Sequence, residues 1–171
     1  MIKSEKKLKD LAEVLRKENK LLISEAIGML REEKPFEGAI HLLTSFYDES
    51  DDFLIRKTIA AFMNDLKDQA ASAEVISEIR KSWKSDTISM LVSSCWQSGL
   101  DYSEFSSDLA NVFLKGDYIT AIECLTVIEE SVNELSLKRR DEIIKIIEES
   151  PLSLENEKKP LTVELLSILG G

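Results

Sequence analysis

Apolar residues recur at three- and four-residue spacing through almost the whole chain, and short polar breaks interrupt them at intervals of about a dozen residues. That periodicity admits helices and little else. The clearest stretch is 86–132. Asp86 opens one apolar run and Gly99 closes it; Asp101 to Ser103 open the next and Gly116 closes that, as a left-handed stop; Asp117 opens the third. Period-2 alternation never persists, and the Asn-Gly and Asp-Gly turns that announce hairpins are missing.

Extending the same reading gives ten helical runs, at about 4–17, 20–33, 36–47, 52–67, 71–83, 86–98, 103–114, 117–132, 136–149 and 160–169. Pro35 suits a first helical turn, Asp51 and Asp52 are candidate caps for the fourth run, and Ser85 or Asp86 for the sixth. Joins this short imply antiparallel neighbours. The second members of the pairs begin near residues 19, 51, 86, 117 and 159, a period mostly in the thirties with two helices per period. The expected fold is all-α, an α-α superhelix (solenoid) of about five antiparallel helical hairpins forming one domain over 1–171. Ala-Ile-x-x-Leu occurs at 26–30, 39–43 and 121–125, and its small-then-large pattern suits close helix packing.

Of 171 residues, 32 are Asp or Glu and 22 Lys or Arg, a net charge of −10. The imbalance is local. Residues 1–20 carry seven bases against four acids, so the remainder stands at −13; 101–134 carry eight acids and one base, Lys115. An acidic surface of this kind repels phosphate backbones and anionic lipid, so neither nucleic acid nor a membrane is an expected partner. No apolar run is long enough to span a bilayer and the first twenty residues lack a signal-peptide core. Cys95 and Cys124 sit inside apolar helical runs, which suggests two buried thiols and a cytoplasmic protein.

The run Asp52-Phe53-Leu54-Ile55-Arg56-Lys57-Thr58-Ile59-Ala60-Ala61-Phe62-Met63-Asn64-Asp65-Leu66 resembles the second helix of a HEAT repeat, with Asp52, Ile55-Arg56, Ile59-Ala60 and Leu66 at the places of that family's pattern and Asn64 where a Gly is usual. The helices opening at Asp86 and Asp117 lack the Arg. The resemblance to HEAT/armadillo-like repeats implies a right-handed stack of hairpins, with second helices lining a concave partner-binding face. It also implies structural, inter-repeat roles for Asp52 and Arg56.

Chemistry-bearing constellations are few. His41 is the single histidine and no metal-ligand spacing surrounds it, so no metal or cofactor is expected. Adjacent acids such as Glu129-Glu130 point about 100° apart on a helix and do not converge as an acid/base pair. Nine serines fall within 82–107, and Ser89 and Ser93 share a stripe of the sixth helix with position 96/97. Trp96 suits either the core or an interface anchor, with the core favoured. On the eighth helix Thr120, Glu123, Thr126-Val127 and Glu130 form the polar stripe.

The expected function is a non-catalytic protein–protein interaction scaffold whose acidic concave face takes a basic or amphipathic segment of a partner, with Ser89, Ser93, Trp96, Thr120, Glu123, Val127 and Glu130 as the binding residues. The alternatives are a HEAT-like enzyme of the lyase or base-glycosylase type, and a self-assembling structural unit. In the last helix Leu161, Val163, Leu165, Leu166, Ile168 and Leu169 cover more than one face. Either 151–159 folds over them or they pair with another molecule.

Overall fold

A computed structural model describes residues 1–154 and 157–170 of the chain. Among the described residues there are ten α-helices: α1 (Glu5–Arg16), α2 (Lys20–Glu32), α3 (Ala39–Glu49), α4 (Phe53–Asn64), α5 (Ala71–Ile79), α6 (Ser85–Gln97), α7 (Ser106–Lys115), α8 (Tyr118–Ser131), α9 (Leu137–Glu148) and α10 (Lys159–Gly170). The chain divides into two compact units, Met1–Leu100 with α1–α6 and Asp101–Gly171 with α7–α10. In both, helices pack on their sequence neighbours and next neighbours.

In the first unit α1 lies against α2 and α3, α2 against α4, α3 against α4 and α5, and α6 against α3, α4 and α5. The inward positions follow the three-four spacing: Ile23 and Ile27 on α2, Ile40 and Leu43 on α3, Ile59 and Met63 on α4, Ile76 on α5 and Leu91 on α6 are all fully buried. Each such side chain contributes about 1.5–3 kcal/mol on leaving water. The cap residues do the local work of starting the helices. Ser4, Asn19 and Asp52 each accept backbone N–H groups of the turn that follows.

Two starts differ from the sequence reading. Pro35 is not in a first turn: α3 begins at Ala39, and Phe36 instead pairs with Ile2 in a short parallel bridge, with Glu37 N–H donating to Ile2 C=O at 3.0 Å. At α6 neither Ser85 nor Asp86 is the cap. Asp48, at the end of α3, reaches over and accepts from Lys84 N–H at 2.9 Å and from the Thr87 hydroxyl at 2.7 Å.

In the second unit α7 packs on α8 and α9, and α10 on α8 and α9. Leu109, Phe113, Ile128, Ile143, Ile147 and Leu165 are fully buried. Asp117 caps α8, accepting Thr120 N–H at 2.8 Å, and Ser136 caps α9. Gly99 takes the left-handed conformation, with φ +69°, but Gly116 does not, its φ being −72°. Close approach is what requires glycine there. A Cβ would sit 2.8 Å from Thr120 Cγ2 and 2.9 Å from the Val112 carbonyl oxygen. A 3₁₀ turn at Pro151–Leu154 packs on α7, α9 and α10, so part of the segment before α10 does fold against it. The buried Lys158 follows, its ammonium donating to the carbonyls of Leu114 (2.7 Å) and Phe113 (3.4 Å) at the end of α7.

Candidate functional site

In the first unit α2, α4 and α6 pack in sequence, α2 on α4 and α4 on α6, and polar side chains join them. Asp52 Oδ1 accepts from the amides of Leu54 (3.0 Å) and Ile55 (3.1 Å), while the carboxylate also pairs with Lys20 of α2. The Lys20 ammonium, followed by the Ile55 amide, holds the Asp52 carboxyl below its usual range. Arg56 pairs with Asp86 of α6 and stacks over the Tyr47 ring, 4.2 Å from its centroid. That pairing lowers the Asp86 carboxyl and raises the guanidinium. Further along, Arg31 pairs with Asp65, and Asn64 Nδ2 donates to Gln97 Oε1 at 3.1 Å. Asp52 and Arg56 thus tie α4 to α2 on one side and to α6 on the other.

On α6, Ser89 and Ser93 are half-buried. Ser93 Oγ accepts from Gln97 Nε2 at 2.9 Å, which links it to Asn64 on α4. Trp96 is 40% exposed, so the core placement favoured for it is overturned. α6 buries Thr87, Met90, Leu91, Val92, Ser94 and Cys95, an arc of about 200° at about 100° per residue, and Trp96 falls just outside it.

On α8, in the second unit, the expected polar stripe divides. Thr120 and Val127 are 1% and 3% exposed and lie in the core, which corrects their place in an exposed stripe. The reason is that α8 packs against both α7 and α10 and buries Thr120, Ala121, Cys124, Leu125, Val127 and Ile128 over a wide arc. Glu123 and Thr126 are half-buried, and Glu129 and Glu130 exposed. The Thr126 hydroxyl bonds back to Ile122 C=O at 3.0 Å. Sequence reading missed the apolar part of this face. Tyr118, Ile119 and Ile122 stand out from the surface, Ile119 at 63% exposure. Their signal was available: they lie off the buried stripe of α8 yet are large and apolar.

The first unit also holds a polar cluster between α3 and α5. Glu78, almost wholly buried, receives Lys81 Nζ at 2.5 Å and lies 3.1 Å from His41 Nδ1. Glu74 Oε1 accepts from Gly38 N–H at 3.1 Å, its other oxygen is buried without a hydrogen bond, and burial pushes its carboxyl up. These groups are spent on one another and on the backbone. Among the described residues no group of three or more His, Cys, Asp or Glu could hold a metal ion. Nor is any helix long and apolar enough to cross a membrane. Cys95 and Cys124 are buried and no disulfide joins them.

Hollows open on the first unit, among them these two. One, of about 550 Å³, lies where the chain leaves α2 and α4 and includes the Arg31–Asp65 pair; the other, of about 230 Å³, is an apolar groove between α1 and α2 lined by Leu11, Val14, Ala26 and Met29. No family model, curated protein or solved structure matches the chain.

Proposed function

We propose that the chain is a non-catalytic scaffold of HEAT/armadillo-like helical repeats, about five hairpins wound as a solenoid, that holds a segment of a partner protein in the cytoplasm. The reading rests above all on the outer face of α8. There Ile119 and Ile122, exposed apolar anchors, stand on the same helix as Glu123, Glu129 and Glu130. A basic or amphipathic helix meets both needs: its apolar side covers the isoleucines and its lysines or arginines meet the acids. The charge speeds encounter and the buried apolar contact sets affinity. Ser89, Ser93 and Trp96 supply a second, aromatic contact surface on α6. Thr120 and Val127 support the α8 face from beneath rather than touching the partner.

Affinity capture from native cytosol at low and at moderate salt tests this. The baits are the natural chain and a chain carrying Glu123→Lys and Glu130→Lys. A basic partner held by the first and lost by the second is the expected result. Retention of the same partner by both baits would remove the acidic face from the interface.

A further inference from the structure

The first turns of α2 and α4 carry four large apolar side chains that the fold leaves in water: Leu21 (67% exposed), Leu22 (39%), Phe53 (73%) and Leu54 (64%). Large apolar residues at consecutive positions on two adjacent helices form a patch. Together they offer on the order of 400 Å² of apolar surface, the size of the largest patch on a typical monomer, which is often functional. The rungs described above fix the register. Lys20 meets Asp52 at one end of the two helices and Arg31 meets Asp65 at the other, so α2 and α4 run in the same direction with an offset of 32 to 34 residues. Leu21 therefore lies beside Phe53, and Leu22 beside Leu54. One turn on, by three- or four-residue spacing, exposed Glu25 on α2 lies level with exposed Lys57 on α4.

We infer that this patch docks a second copy of the chain about a twofold axis that lies between α2 and α4 and runs along them. The argument is complementarity. Such an axis places Leu21 over Phe53 of the second copy and Leu22 over its Leu54. It also sets Glu25 against Lys57 of the other copy twice, once on each side. An isologous contact demands a surface that complements itself. Most of this chain fails that demand, because a net charge of −10 sets like charge against like. At this patch two register levels instead carry one acid and one base each (Lys20 with Asp52, Glu25 with Lys57). Joining two patches removes on the order of 1,000 Å² with their rims, which places the dimer among weak, concentration-dependent ones.

Sedimentation velocity on the full chain, from about 1 to about 300 μM, reads the association directly. The natural chain is expected to shift from monomer toward dimer across that range. Phe53→Asp should weaken the dimer at least about tenfold, and because the side chain is largely exposed its thermal midpoint should stay near that of the natural chain. Glu25→Lys and Lys57→Glu should each weaken association. A one-to-one mixture of those two variants should recover it, since each meets its opposite in the other. A chain monomeric at the highest concentration overturns the proposal. So does a dimer indifferent to Phe53→Asp, or one lost only on Val163→Asp, a substitution on the exposed side of α10.

Discussion

The buried ammonium of Lys158 donates to the Leu114 carbonyl oxygen at 2.7 Å, so a lysine 44 positions along the chain closes the C-terminus of α7. The last carbonyls of a helix have no partner within it, and a cation there also meets the negative end of the helix dipole. Lys158→Met keeps the aliphatic stem and removes the donor. It should lower stability by about 1–3 kcal/mol, the cost of leaving buried acceptors without their charged partner. Urea unfolding measures the loss, and hydrogen exchange should place it at the end of α7. An unchanged midpoint would mean that the carbonyls find another donor.

Asp48 predicts a second effect on stability. Because its carboxylate takes both the Lys84 amide and the Thr87 hydroxyl, it serves α6 as a cap supplied from another helix. Asp48→Ala should cost about 1–2 kcal/mol, as loss of an N-cap does. Thr87→Val leaves the amide bond in place and should cost less. Equal losses in the two variants would show that the hydroxyl, not the amide, carries the contribution.

Glu74 sets a pH dependence. Burial raises its folded-state pKa above the ordinary 4.5, and the nearby Glu37 and Glu78 act in the same direction. The ionised group therefore subtracts stability at neutral pH. That subtraction fades as pH falls through the raised value and is gone below 4.5. Glu74→Gln keeps an oxygen for the Gly38 amide and removes the titration. Relative to this variant, the natural chain should gain stability as pH is lowered from about 7 to about 4.5. Chemical denaturation at a series of pH values gives the difference, and a constant difference would show that Glu74 does not titrate in that window.

How much of this was legible in the sequence depended on the distance over which each signal acts. Helix number and order follow from periodicity, and Asp52 and Asp117 from short-range cap chemistry; all of these act within one turn. Asp48 was invisible because its partners lie 36 and 39 residues away. Val127 failed for a related reason. Which side of a helix is buried is decided by how many neighbours it has, and α8, packed on both α7 and α10, buries a wider arc than its polar pattern announces. Gly116 read correctly as a stop but for the wrong cause, since crowding by Thr120 and Val112, not backbone handedness, excludes a side chain.

The rungs that join α2, α4 and α6 link residues about thirty positions apart: Lys20 to Asp52, Arg56 to Asp86 thirty positions on, Asn64 to Gln97 thirty-three on. Each rung therefore closes a loop of only one hairpin. The entropy of drawing distant parts of the chain together, which slows proteins built from long-range pairings, is small at every step of assembling the first unit. Assembly of the first unit can therefore proceed from pairings about thirty residues apart, without first drawing its two ends together.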